Sequence, residues 1–179
     1  MNKLYPGKTP STDIYYPNHI DEMLYFMGYL DPEFIFADIG EPNNKSGYIV
    51  KKTGIDLHNL TAKDFNFFLY SKNNFDGIFC FEILEHLQNP LLFMMSLKQL
   101  LSPNGIIYLT MPAKPRVFWS PYHYNEIKPK HFEKWITTPL NLKIVKKKRI
   151  RQPMIMRFGI RPVIRWMFNY TWIYKIQVA

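Results

Sequence analysis

The part of the chain that most restricts its fold is residues 75–112, where a largely apolar segment leads into two acids and a histidine. The opening letters, Phe-Asp-Gly-Ile-Phe-Cys, predict a buried strand over 76–82. Glu82, Glu85 and His86 follow with the spacing i, i+3 and i+4, so one helical turn would place them on one face. Ligands of open α/β sheets bind where strands end. We therefore expect these three side chains at the functional site.

Strand and helix patterns alternate along the rest of the chain. Strands are predicted over 34–40, 54–57, 106–110, 142–150 and 173–178, and helices over 20–30, 45–53, 90–101, 128–137 and 162–170. Such alternation predicts an α/β fold with a mostly parallel sheet and helices on its faces. The last two strands are predicted to form an antiparallel edge pair, the final one half-exposed because its apolar residues alternate with polar ones.

The composition predicts one globular domain that spans residues 1–179. Hydrophobic residues make up 47% of the 179, enough for a full core. Residues 1–17 hold several prolines and are predicted to form an irregular arm. Residues 151–179 form a basic, aromatic segment that ends in the last strand. No signal peptide and no apolar run of about 18 residues is visible, which predicts neither secretion nor a membrane span.

The charge and the cysteine content bear on partners and compartment. The net charge is +9, and a basic excess favours anionic partners such as phosphate groups, nucleic acid or acidic lipids. Arg157, Arg161 and Arg165 stand among aromatic residues, a pattern that fits peripheral membrane contact or a phosphorylated acceptor. The single cysteine, Cys80, lies in an apolar strand, which predicts a buried thiol and a reducing, cytoplasmic compartment.

Two motifs resemble class I S-adenosylmethionine-dependent methyltransferases. The segment 75–112 resembles their fourth strand, next helix and fifth strand, with Glu85-His86-Leu87, Asn89-Pro90 and the turn at Pro103-Asn104-Gly105. Asp38-Ile39-Gly40 is similar to the acid and first glycine of their first motif. The resemblance covers most of residues 30–150. It implies a seven-stranded Rossmann-like sheet with an antiparallel final strand, S-adenosylmethionine as cofactor, and methyl transfer to oxygen or nitrogen.

The first motif departs from the family pattern of an acid followed by three alternating glycines. Only Gly40 is present, and the chain continues Glu41-Pro42-Asn43. Glycines let the backbone approach the cofactor closely, whereas Pro42 lacks an N–H and Glu41 adds a negative charge. This departure keeps a second class of function open, namely a catalytically degenerate methyltransferase fold that serves as a binding or regulatory partner.

The resemblance implies a set of cofactor contacts. Asp56 lies about 20 residues after Asp38, which would place it at the end of strand two beside the cofactor ribose; a turn-forming aspartate is the alternative. Asp64 resembles the acid that holds the adenine amino group. Little chain separates the two acids, so the third-strand region is predicted to be shortened. The implied cofactor residues are Asp38, Gly40, Asp56, Asp64, Glu82 and Ile83.

Three interpretations of the acid–acid–histidine cluster stay open. In the first, Glu82, Glu85 and His86 have structural roles. In the second, His86 is a general base, with Glu82 or Glu85 orienting it. In the third, these residues and His123 bind a divalent cation, because the spacing is similar to that of ubiquinone-pathway O-methyltransferases and small-RNA 2′-O-methyltransferases. A metal-dependent RNA 2′-O-methyltransferase is accordingly a further alternative.

The acceptor is predicted to bind beside the loop after the fifth strand. That loop carries His123 and four aromatic residues, Phe118, Trp119, Tyr122 and Tyr124, which suit stacking on a sugar or a base. The predicted acceptor is a small molecule or a glycan- or lipid-linked precursor, and nucleic acid is less favoured. The residues predicted to act in catalysis are His86, Glu85, Glu82 and His123.

Overall fold

The computed structural model describes residues 17–62, 64–67, 71–72, 74–113, 123–125, 127–151 and 170–179. Its strands are β1 Ile35–Ile39, β2 Asp56–Leu60, β3 Phe75–Phe81, β4 Leu101–Pro112, β5 Leu142–Arg151 and β6 Tyr170–Val178. Its α-helices are α1 Pro17–Met27, α2 Asn44–Thr53, α3 Pro90–Leu100 and α4 Pro129–Phe132. A 3₁₀ turn covers Leu84–His86, and a π-helical turn over Glu133–Thr137 continues α4.

The strands form one sheet in the order β2-β1-β3-β4-β6-β5. Strands β2, β1, β3 and β4 are parallel, whereas β6 is antiparallel to both β4 and β5. The predicted Rossmann-like fold with an antiparallel pair is confirmed. The resemblance implied seven strands, but the described residues supply six, with none between β2 and β3.

The last strand lies on the inner side of the predicted edge pair. Strands β5 and β6 form this antiparallel pair at one edge of the sheet, with β6 between β4 and β5, where it is more buried than the half-exposed strand that was predicted. Ile173 and Tyr174 are adjacent in sequence and both fully buried, because helices cover both faces of the sheet here. The sheet edge is instead formed by the basic strand β5.

Two hydrophobic cores enclose the sheet. One core contains residues of α1 and α2, and the other contains residues of α3, α4 and the π-helical turn. On the α1–α2 face, the rings of Phe36, Phe79 and Phe81 stack at successive centroid distances of 5.5 Å. Gly77 lies under this stack, where a Cβ would come within 2.3 Å of the Phe36 ring. No helix in the described ranges is long and apolar enough to cross a membrane.

Side-chain caps explain where α2 and α3 begin. The Asn43 side chain accepts hydrogen bonds from the backbone N–H groups of Lys45 and Ser46. The Asn89 side chain accepts one from Leu92, and Pro90 occupies the first turn of α3, as predicted. Helix α1 begins at Pro17, with Asn18 inside its first turn.

Candidate active site

The first motif joins the end of β1 to the start of α2. Asp38 is 5% exposed and accepts a hydrogen bond from Ser46 Oγ. Burial raises the pKa of the Asp38 carboxyl, while the Ser46 hydrogen bond and the Lys45 charge lower it. Gly40 has φ +127°, a conformation that suits glycine, and its N–H donates to Leu60 O at 2.9 Å. The motif therefore fixes the chain at the carboxyl end of β1.

Asp56 lies at the other end of the sheet. It begins β2 and pairs with Ile35, whereas Asp38 pairs with Asn59. Four residues of strand separate Asp56 from the carboxyl end of β2, about 13 Å at the usual rise. Its exposed carboxylate contacts His58 Nε2 at 3.2 Å. The predicted position at the end of strand two was wrong, because the strand begins where it was expected to finish.

Asp64 has a turn-forming role. Its Oδ1 accepts hydrogen bonds from Asn66 N and Nδ2 at 2.8 and 2.9 Å. Asn66 Oδ1 in turn accepts from Gln88 N and Asn89 N, at 2.7 and 3.2 Å. Asp64 thus ties its segment to the start of α3, and its contact with the adenine group stays a prediction.

Glu82 stands apart from the predicted helical face. Its φ of +56° is left-handed, so the chain turns sharply between β3 and the 3₁₀ turn. Its N–H donates to Thr110 Oγ1 at 3.0 Å, and its Oε1 is buried with no hydrogen-bond partner among the described residues. The next residue, Ile83, is 5% exposed and packs into the core on the α3 side.

Glu85, His86 and His123 converge at this edge of the sheet. One ligand atom from each lies within 4.8 Å of the others. The two imidazole rings meet edge to face with centroids 4.9 Å apart, and Glu85 is 2% exposed. Asn125 holds this arrangement, since its N–H donates to Glu85 O at 3.0 Å and its Nδ2 donates to Leu87 O. Of the four predicted metal ligands, the structure brings these three together without Glu82.

Two residues of the site did not emerge from the sequence. Burial lowers the pKa of His19, while a backbone hydrogen bond with Arg151 and the charges of Glu82 and Glu22 raise it and Lys45 lowers it further. His19 Nδ1 is buried with no hydrogen-bond partner in the described part of the chain. The sequence did hold a signal for the burial of His19, because Met23 and Phe26 follow it at i+4 and i+7 on the buried face of α1.

Lys45 is the second such residue. Its Nζ lies 6.0 Å from the centroid of the Phe81 ring, and its charge acts on both Asp38 and His19. These partners belong to three different elements, β3, β1 and α1, so nothing in the local sequence around Lys45 indicated their meeting.

A cavity of about 370 Å³ lies beside the Glu85–His86–His123 cluster. It is lined by Asn89, Pro90, Leu91, Asn125, Ile127, His131, Trp135 and Ile136. Asn125 borders both the cavity and the cluster, and Trp135 is 62% exposed. Of the loop aromatics predicted to contact the acceptor, Tyr124 is 60% exposed and the other three lie outside the described residues.

The basic strand β5 forms surface ion pairs. Lys147 Nζ lies 2.6 Å from Glu133 Oε1, and Lys148 Nζ lies 2.8 Å from Glu22 Oε1. These contacts fit a solvated edge strand, in which lysines also discourage edge-to-edge pairing. Arg157, Arg161 and Arg165 lie outside the described residues, and their predicted membrane contact stays a prediction.

A sequence model of a methyltransferase-domain family matches residues 21–147. The search of curated protein sequences returns no match.

Several solved structures share the fold. A methyltransferase described as putative, from Bacillus halodurans, is 10% identical with a TM-score of 0.65, and the match covers 88% of this chain and 97% of that one. A Haloferax volcanii methyltransferase, also described as putative and complexed with the activator Trm112, is 12% identical with a TM-score of 0.62, over 84% of each chain. Phosphoethanolamine N-methyltransferase 2 of Haemonchus contortus, with phosphomonomethylethanolamine and S-adenosylhomocysteine, is 13% identical with a TM-score of 0.62, over 90% of this chain and 52% of that one.

Proposed function

The chain belongs to the methyltransferase-domain family, and from this premise we propose that it transfers a methyl group from S-adenosylmethionine to an oxygen or nitrogen of a glycan- or lipid-linked or other small acceptor. The observation that carries the proposal is the meeting of two sets of side chains where β1 and β3 end. Asp38 and Gly40 lie at the end of β1, Glu85 and His86 follow β3, and His123 comes from the segment after β4. Adjacent strand ends of this kind can bring a donor and an acceptor together.

The residues present suit a positively charged cofactor. The buried Glu82 Oε1 has no partner among the described residues, and a buried carboxylate oxygen favours a nearby positive charge. Gly40 leaves open space where a side chain would start, since nothing lies within 4 Å of a Cβ built there. When bound, S-adenosylmethionine supplies an electrophilic methyl group on a sulfonium. The protein then has to orient the acceptor and take up a proton.

His86 is our proposed proton acceptor. The neighbouring Glu85 carboxylate favours the protonated imidazole that forms when His86 takes a proton from the acceptor hydroxyl or amine. The surrounding backbone holds the ring in place, because His86 N donates to Ile83 O at 2.9 Å. In this proposal His123, whose ring meets that of His86, orients it.

The same cluster suits a divalent cation, which is a second proposal for these residues. One carboxylate and two imidazoles are common ligands of Mn²⁺, Fe²⁺ and Zn²⁺. The three ligand atoms lie within 4.8 Å of one another, so binding of one ion would require their side chains to rotate closer together. When bound, a cation would orient acceptor oxygens and lower the pKa of the attacking hydroxyl.

Calorimetry decides between the two proposals for the cluster. We expect Mn²⁺ or Zn²⁺ to bind the wild-type protein, and His123→Ala to abolish binding while the matched variant His58→Ala retains it. Binding that survives His123→Ala would place the ion elsewhere. If neither cation binds and EDTA leaves the methyl-transfer rate unchanged, the metal proposal is wrong and His86 remains as base.

The cavity beside the cluster supports a glycan-linked acceptor. An exposed tryptophan can stack on the apolar face of a sugar ring, and the asparagine and histidine side chains around it can bind hydroxyl groups. Trp135 provides the ring, and Asn89, Asn125 and His131 provide the polar groups. The cavity is linked to the cluster through Asn125, which lines it and donates a hydrogen bond to Glu85 O.

Cofactor binding tests the function itself. We expect S-adenosylmethionine to raise the melting temperature and to give measurable heat on titration. Incubation with radiolabelled cofactor and fractionated cell-envelope extract should then label a glycan or lipid fraction. Absence of both heat and thermal shift at millimolar cofactor would overturn the enzyme proposal in favour of a degenerate binding fold. Label in RNA would move the acceptor to the RNA alternative.

We place this activity in a reducing compartment such as the cytoplasm and assign it to a single domain over residues 1–179. Cys80 is fully buried, and burial raises the pKa of its thiol well above the usual range, so it suits neither a disulfide nor a nucleophile.

A further inference from the structure

The missing glycines of the first motif raise the question of what binds the carboxylate of the cofactor's methionine moiety. Pro42 has no N–H to offer, and Glu41 is exposed and negative. The N–H groups of Lys45 and Ser46 at the start of α2 already donate to the Asn43 side chain, at 2.9 and 3.1 Å. The backbone of this motif therefore has few donors left for an anion, and a side chain has to supply the charge.

Lys45 is placed to do so. It is exposed, in the first turn of α2, and its Nζ lies 6.0 Å from the centroid of the Phe81 ring at the end of β3. Its charge acts on Asp38 at the end of β1 and on His19 at the start of α1. Because the Lys45 ammonium is close to all three of these residues, it lies at the edge of the sheet between β1 and β3.

A negative charge, the carboxylate of Glu82, lies at the same edge of the sheet as Lys45. Glu82 directly follows Phe81, whose ring centroid lies 6.0 Å from Lys45 Nζ, and the charges of both Glu82 and Lys45 act on the pKa of His19. Glu82 Oε1 is buried and has no partner in the described part of the chain. Burial lowers the pKa of His19, which disfavours a second positive charge at this place. One cation and one anion here match the zwitterionic amino-acid end of S-adenosylmethionine.

We propose that the Lys45 ammonium binds the α-carboxylate of the cofactor, in place of the glycine backbone that the first motif lacks. The Glu82 carboxylate, whose Oε1 is buried, then faces the positively charged ammonium and sulfonium groups. Lys45 also offsets the negative charge of Glu41, which would otherwise repel the cofactor carboxylate. This inference rests on the proposed function, because it concerns the same cofactor.

Decarboxylated S-adenosylmethionine, which keeps the sulfonium and amine but lacks the carboxylate, isolates this contact. Titration calorimetry should give the wild-type protein a preference of about 10- to 100-fold for S-adenosylmethionine over the decarboxylated form. Lys45→Met should reduce that preference to about one, by weakening the binding of S-adenosylmethionine alone. Because Lys45 is exposed, its replacement leaves the core intact.

Two further variants control the experiment. Lys51→Met removes an exposed lysine from the last turn of the same helix and should keep the wild-type preference. Lys45→Arg retains the charge and should keep most of it. An unchanged preference in Lys45→Met, or an equal loss for both compounds, would overturn the inference while leaving the proposed function in place. Failure of the wild-type protein to bind either compound would instead overturn the proposed function.

Discussion

The two halves of the carboxyl edge of the sheet are built in different ways. The side that we propose for the cofactor consists of Asp38, Gly40 and Lys45, and the side that we propose for the acceptor consists of Glu85, His86 and His123. On the acceptor side, the backbone N–H and the side chain of Asn125 donate to the carbonyl oxygens of Glu85 and Leu87, beside the buried acid and the two imidazoles. On the cofactor side, one glycine remains and charged side chains stand where the family uses backbone. The comparison suggests that the acceptor side is preorganised by the fold, whereas the cofactor side depends on electrostatics.

The largest expected effect concerns the acceptor side. His86→Ala should lower the methyl-transfer rate by at least ~10²-fold, because it removes the proposed proton acceptor. Its affinity for S-adenosylmethionine should stay close to that of the wild type, because the contacts we propose for the cofactor lie on the other side. Single-turnover kinetics with labelled cofactor measure the rate, and His58→Ala serves as the control. A rate near that of the wild type would remove His86 from the chemistry.

The next effect concerns the backbone of the cofactor side. Gly40→Ala should destabilise the fold by about 1–3 kcal/mol, since an L-residue at φ +127° is strained even though the site has space. Gly47→Ala is the matched control, because Gly47 lies inside α2 with open space around it and should gain about 0.4–1 kcal/mol. Urea denaturation measures both variants. Equal stabilities of the two would contradict the conformation assigned to Gly40.

A smaller effect is expected on the melting temperature when the charge of Asp38 is removed. Burial raises the pKa of its carboxyl above the usual value for an aspartate, so the ionised carboxylate lowers the stability of the folded state at neutral pH. Asp38→Asn should therefore raise the melting temperature at pH 7, by about 2–4 °C for each kcal/mol gained. The gain should shrink as the pH falls towards the ordinary pKa of an aspartate and vanish below it, where Asp38 is protonated in both the folded and the unfolded wild-type protein.

Thermal unfolding at pH 7 and pH 4 measures the change in melting temperature, and Asp56→Asn, at an exposed aspartate, serves as the control. A gain of the same size at both pH values would show that ionisation of Asp38 is not its cause.

The smallest effect lies between the two sides. The backbone of Glu82 has the left-handed conformation, with φ +56°. Glu82→Gly should therefore relieve strain and stabilise the fold by about 1 kcal/mol. The same change removes the buried carboxylate that we propose to face the sulfonium, so cofactor affinity should fall. Denaturation and titration of one sample measure both. A variant less stable than the wild type would indicate that the Glu82 side chain contributes packing that outweighs the strain.

Local signals fixed most of the elements. The apolar run before Glu82 predicted β3, Asn89-Pro90 predicted the start of α3, and the acid and glycine at 38–40 predicted the end of β1. Each of these depends on residues that are neighbours in sequence, and each was confirmed. The resemblance to metal-dependent methyltransferases grouped Glu82, Glu85, His86 and His123 in one of three open interpretations, and the structure brings three of these four together.

The wrong predictions for Asp56 and β6 have a common origin, because both depend on how strands pair in the sheet. Asp56 was expected at the end of strand two, but its register opposite Ile35 makes it the first residue of β2. A short strand with mixed polarity does not specify its own register, which is set by the neighbouring strand. Burial of β6 likewise depends on β4 and β5 on either side of it.

The sequence by itself determined the fold class, the order of most elements and the two motifs at the strand ends, because propensity, capping and hydrophobic pattern act over a few residues. Only the tertiary structure decided that Glu82 turns away from Glu85 and His86, that Asn125 fastens His123 to them, and that Lys45 and His19 join the site. These features depend on contacts between residues far apart in the chain, and such contacts form only when the strands have paired into the sheet.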